Sequence, residues 1–112
     1  MSKQGEYRLS FANYKVDGRL AYKCTCWRGD TTSFNIAEVL SALSNDAHEL
    51  LKEIENSLTG KYFEEYYRFD VHIIRFQITA THCVINDETE IPIQEFKMIL
   101  EEWIAFCNKP FH

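Results

Sequence analysis

Two prolines and four glycines in 112 residues are too few for a disordered or low-complexity chain. No apolar run is long enough to span a bilayer, and the polar opening Met1-Ser2-Lys3-Gln4-Gly5-Glu6 has no secretory leader behind it. Positive charge is also scarce. Twelve Lys and Arg stand against seventeen Asp and Glu, for a formal charge of -5, which argues against nucleic-acid and anionic-membrane surfaces. Cysteine is limited to Cys24, Cys26, Cys83 and Cys107. Without a leader these read as buried thiols rather than a disulfide framework. A complete cytoplasmic gene product is the expectation.

What is present is core material. The chain is 46% hydrophobic and 14% aromatic, enough for one domain over residues 1–112 without staples. Glu6 to Tyr14 alternates as a strand, with Tyr7, Leu9 and Phe11 on one side. Asp17-Gly18 marks a hairpin, because tight turns require positive φ. Arg19 to Arg28 reads as the second strand, with Leu20, Tyr22, Cys24 and Cys26 on one face and Trp27 on the other. Arg28-Gly29-Asp30 reads as a turn, and Thr31 to Phe34 as a short third strand.

Asn35 then reads as a helix cap, with Glu38 completing a capping box. The residues Ile36, Val39, Leu40, Leu43, Ala47, Leu50, Leu51, Ile54 and Leu58 fall at helical spacing. Ser44-Asn45-Asp46 is a point where that helix kinks or restarts, and Thr59-Gly60 ends it. From Lys61 to Ile93 β-formers predominate: Phe63 to Phe69, Val71 to Ile78 and Thr79 to Ile85. After the Asn86-Asp87-Glu88 turn, Glu90 to Ile93 contains proline and suits an edge strand. Gln94 to Asn108 is an amphipathic helix with Phe96, Ile99, Leu100, Trp103, Ile104 and Cys107 inward, stopped at Lys109-Pro110. The predicted class is α+β, in the order ββ(β)αββββα, with two helices on a mainly antiparallel sheet.

No phosphate loop, dinucleotide fingerprint or zinc-protease motif occurs. Cys24-Thr25-Cys26 with His72, His82 or Cys83 has donor types that suit zinc, but one intervening residue is tighter than the usual spacing. Core thiols are the simpler reading, so no metal and no cofactor are expected. His82 and Cys83 are adjacent in a strand and point to opposite faces, which prevents a nucleophile–base pair. Glu64-Glu65 and the carboxylates from Asp87 to Glu95 lie among turns and polar faces, where a raised pKa is not expected. The chain is read as a non-enzyme. The segment Phe63-Glu64-Glu65-Tyr66-Tyr67-Arg68-Phe69-Asp70 mixes rings and carboxylates, as protein-docking surfaces do.

The acidic turn Ile85-Asn86-Asp87-Glu88-Thr89-Glu90, the Ile91-Pro92-Ile93 strand and the Gln94 to Phe106 helix resemble the C-terminal end of small bacterial immunity proteins. Those proteins protect cells against contact-dependent growth-inhibition and related polymorphic toxins. The resemblance implies stoichiometric inhibition of a cognate toxin domain, often a basic nuclease. A monomer or weak homodimer is expected. The residues expected to dock the partner are Glu64, Glu65, Tyr66, Tyr67, Asp70, Asp87, Glu88 and Glu90. They are chosen for charge and ring content, since no motif assigns them. Two other classes remain open. One is an enzyme or small-ligand binder on a cupped sheet, with His72 or His82 inside. The other is a structural or regulatory subunit that dimerises through an open sheet edge.

Overall fold

The computed structural model describes residues 2–27, 30–44, 46–69 and 74–108. In chain order the elements are helix α1 (Lys3–Glu6), strands β1 (Leu9–Val16) and β2 (Arg19–Cys26), helices α2 (Thr31–Leu43) and α3 (His48–Leu58), strands β3 (Tyr66–Tyr67), β4 (Phe76–Ile78), β5 (His82–Ile85) and β6 (Thr89–Pro92), and helix α4 (Ile93–Cys107). The class is α+β, as predicted. The strands form two antiparallel sheets rather than one: a two-stranded hairpin β1-β2 and a four-stranded meander β3-β4-β5-β6. Among the described residues there are four helices, not two.

The hairpin turns on Asp17 and Gly18, both with positive φ (51° and 79°), the backbone that a two-residue connection between twisted strands demands. Pairing runs from Val16↔Arg19 at the turn to Leu9↔Cys26 at the base. The first strand starts later than the alternation suggests. Ser2 Oγ accepts the Gly5 N–H and winds Lys3–Glu6 into one helical turn. The free N–H groups of Lys3 and Gln4 donate to the Glu102 carboxylate on α4 at 2.8 and 2.9 Å. A partner 98 residues away is invisible to local pattern.

Thr31 to Phe34 is helix rather than a third strand, because Asp30 caps α2. Its carboxylate accepts the Ser33 N–H at 2.8 Å, and that bond, first among several contacts, lowers the Asp30 pKa. The cap therefore lies at Asp30, not Asn35. Asn35 is buried inside α2, where its amide donates to Thr89 Oγ1 at 2.7 Å and to Glu88 Oε1 at 2.9 Å. The predicted break is present. Ser44 has φ 51°, and the apolar stripe resumes in α3, whose Leu50 and Ile54 are fully buried. Gly60, with φ 75°, follows the end of α3 in the left-handed conformation expected there.

In the meander, strands are shorter than the β-rich text suggests: β3 is two residues and β4 three. Residues 71–73, the start of the expected Val71 to Ile78 strand, lie outside the described residues, as do the Arg28-Gly29 turn positions and the Lys109-Pro110 stop. Thr89–Pro92 is an edge strand, as expected. The Ile93 N–H donates to the carbonyl of Thr81, the residue before β5. Alternation then turns the backbone nitrogen of Pro92 to the open side, where a missing N–H costs no ladder bond.

α4 lays Phe96, Ile99, Leu100, Trp103 and Cys107 into the core. Phe96 meets Phe76 of β4 at 5.2 Å between ring centroids, and Trp103 meets Phe11 of β1 edge-on at 5.0 Å. One helix thus joins both sheets. Each fully buried large side chain contributes about 1.5–3 kcal/mol.

A candidate protein-docking face

The pleat of the meander sorts its residues into two sides. Tyr67, Phe76, Ile85 and Thr89 stand in one cross-strand row, and the last three are buried beneath α4 and α2. One residue along, Tyr66, Gln77, Val84 and Glu90 form the opposite row. All four are exposed or half-exposed, and Tyr66 shows 65% of its surface. This outer side has an aromatic ring at one end, a carboxylate at the other, and a methyl-bearing centre.

Hydrogen bonds fix the Tyr66 end. Gln77 Nε2 donates to Glu65 Oε2 at 2.7 Å and reaches Tyr66 Oη at 3.4 Å. The Glu65 charge, followed by its hydrogen bond and by Asp87, raises the Tyr66 pKa, so the phenol stays protonated and able to donate. Beside it Tyr62, 81% exposed, donates to Glu64 Oε1 at 3.2 Å. The Glu64 N–H is held by Glu53 Oε1 of α3 at 3.0 Å. At the turn between β5 and β6, Asp87 pairs with Arg75 at 3.1 Å with both side chains largely in water. Such a pair contributes about 0–1 kcal/mol. Between α3 and residues 64–68 lies an open groove of about 670 Å³ lined by Lys52, Glu53, Glu64, Tyr66 and Arg68 among others.

Of the eight residues chosen from the sequence, Glu64, Glu65, Tyr66, Asp87 and Glu90 gather on or beside this outer side. Tyr67 belongs to the covered row and packs edge-on against Phe69 at 5.2 Å. Glu88 turns toward α2 and accepts from Asn35. Asp70 lies outside the described residues. Gln77, Val84 and Tyr62 also belong to the face. Only strand register brings Gln77 and Val84 in, and register is what a single sequence leaves open across long connections.

His82 is half-buried, with Nδ1 2.9 Å from Thr81 Oγ1, whereas Cys83 is fully buried on the other side of the strand. His72 lies outside the described residues. Burial pushes the thiols of Cys83 and Cys24 up to about 12 and that of Cys107 to about 11. These three are protonated, weak nucleophiles at neutral pH. Among the described residues, no three His, Cys, Asp or Glu side chains converge as a metal site. No helix there is long and apolar enough to cross a membrane.

No family model matches the chain, and neither the curated proteins nor the solved structures contain a match to it.

Proposed function

We propose that this chain is an immunity-type inhibitor that works in the cytoplasm and neutralises a basic toxin domain by one-to-one docking. The observation that carries the reading is the Tyr66-Gln77-Val84-Glu90 row, flanked by Glu64 and Glu65, with Asp87 nearby in its pair with Arg75. A rigid aromatic and a small apolar centre supply contact area, and the surrounding carboxylates attract a cationic partner. The net charge of -5 acts in the same direction at longer range. Masking the partner's own anion-binding surface is sufficient for inhibition, so the inhibitor needs no reactive group.

The test is co-expression with a basic toxin domain encoded beside this gene, followed by calorimetry of the purified pair. Binding should weaken as salt rises. Glu65→Lys and Glu90→Lys should each lower affinity by about fivefold to tenfold, near 1 kcal/mol or slightly more. Tight binding indifferent to salt and to both substitutions, or nuclease turnover by the pure chain, would overturn the reading.

A further inference from the structure

The β1-β2 hairpin is packed only over part of its length. At its base Leu9 and Cys24 are buried, and Phe11 lies against Trp103 and Phe106. Ser41 of α2 covers the edge there, its hydroxyl donating to the Cys24 carbonyl and accepting the Cys24 N–H, both at 2.9 Å. Toward the turn the covering stops. Residues 14–20 are all exposed, and no other described strand pairs with either edge.

Register sorts this arm as well. Pairs Leu9↔Cys26, Phe11↔Cys24 and Asn13↔Tyr22 share the side facing the core. Pairs Val16↔Arg19, Tyr14↔Ala21, Ala12↔Lys23 and Ser10↔Thr25 make the other side. That side carries two cations and no carboxylate. Tyr14 and Val16 lie exposed between them, at 45% and 48%. Neither Arg19 nor Lys23 makes an ion pair with a described residue. The segment from Leu9 to Cys26 holds Lys15, Arg19 and Lys23 against Asp17 alone, inside a chain whose total is -5. The molecule is therefore bipolar: a basic arm with an apolar centre, and an acidic sheet face with an apolar centre.

We infer that the arm docks on a second copy of this chain, its Tyr14–Val16 side laid on the outer face of the partner's meander. Arg19 and Lys23 meet carboxylates of the Glu65 and Glu90 set. Opposite charges around matched apolar centres favour this head-to-face contact over arm against arm, where like charges would be opposed. Two copies close the contact reciprocally around a two-fold axis, each arm on the other's face. The inference uses the same acidic face as the inhibitor reading but does not rest on it. If both hold, a basic partner and the second copy compete for one surface.

The test is sedimentation velocity over a concentration series, at ionic strengths from about 0.02 to 0.5 M. At low salt the 13.2 kDa chain should shift toward dimer, and at high salt return to monomer. Arg19→Glu with Lys23→Glu should weaken self-association by tenfold or more, about 1.4 kcal/mol or above. Glu65→Lys with Glu90→Lys should do the same. Mixing the arm-reversed and face-reversed chains should restore dimer, because both contacts then pair opposite charges again. Circular dichroism of each variant checks that it is folded. A chain monomeric at every concentration and salt, self-association untouched by arm reversal, or a mixture that stays monomeric would overturn the inference. The arm variants keep the acidic face intact, so their binding to a basic toxin domain reports on the inhibitor reading separately.

Discussion

Trp103 Nε1 donates a 2.7 Å hydrogen bond to the backbone carbonyl of Ser44, the residue at which α2 ends with φ 51°. Carbonyls at a helix end have no partner within the helix, and here a fully buried side chain of α4 supplies one. Trp103→Phe keeps an aromatic ring but removes the donor and part of the volume. It should cost about 2–4 kcal/mol, read as a lower urea midpoint with little change in slope. Trp27 is 62% exposed, so Trp27→Phe should leave a single blue-shifted emission from Trp103. A red-shifted spectrum would contradict its burial.

The Asn35–Thr89 pair joins α2 to the start of β6 through a buried 2.7 Å bond. Asn35→Ala should destabilise by about 1–3 kcal/mol, because a buried hydroxyl is left without its partner. Combined with Thr89→Val the loss should be less than additive, with a coupling of about 0.5–3 kcal/mol. Strict additivity would show that the bond contributes nothing.

Glu95 accepts from Lys3 Nζ and from Tyr7 Oη, each at 3.1 Å. The Lys3 hydrogen bond, ahead of the Tyr7 bond, holds its pKa below the ordinary 4.5. Asp30 is held below 3.8, first by the Ser33 N–H. A folded-state pKa below the unfolded one gives stability that is present above the unfolded value and lost as pH falls through the folded one. The urea midpoint should therefore decline as pH drops below about 4.5. Glu95→Gln should flatten part of that decline. A midpoint that rises on acidification would have the wrong sign.

Cys26 is the one half-exposed thiol, while Cys24, Cys83 and Cys107 are buried. Alkylation of the native chain at mildly alkaline pH should add one label, at Cys26, and Cys26→Ser should abolish it. Burial that lifts the other three to about 11 or 12 keeps them unreacted until the chain unfolds. Rapid labelling of Cys83 in the native chain would be incompatible with its position under α4.

The features legible in the sequence are those set by neighbours in the chain. Asp17-Gly18, the Ser44 break, Gly60 and the inward face of α4 each follow from a local conformational need or from helical spacing. Elsewhere, local signals compete. Asn35-x-x-Glu38 and Asp30-x-x-Ser33 are both plausible starts for α2, and burial of Asn35 against Thr89 selects the earlier one. The β-rich text after Lys61 gives strand propensity but not strand length, and α1 depends on the remote Glu102. Ring and carboxylate content selects eight candidate residues, of which five lie on or beside one side of the meander. It could not orient Tyr67 or Glu88, because a one-residue change of register moves a side chain from one side of a sheet to the other.

Pro92 has a consequence for crowding. An outermost strand that lacks one of its outward donors, at Pro92, and carries the charged Glu90 at the next outward position is a poor template for a stray extended segment. The opposite border of the meander, β3, is two residues long. Concentrated or heat-stressed samples should therefore not grow ribbons outward from this sheet, and any fibrillar aggregate would have to start elsewhere in the molecule.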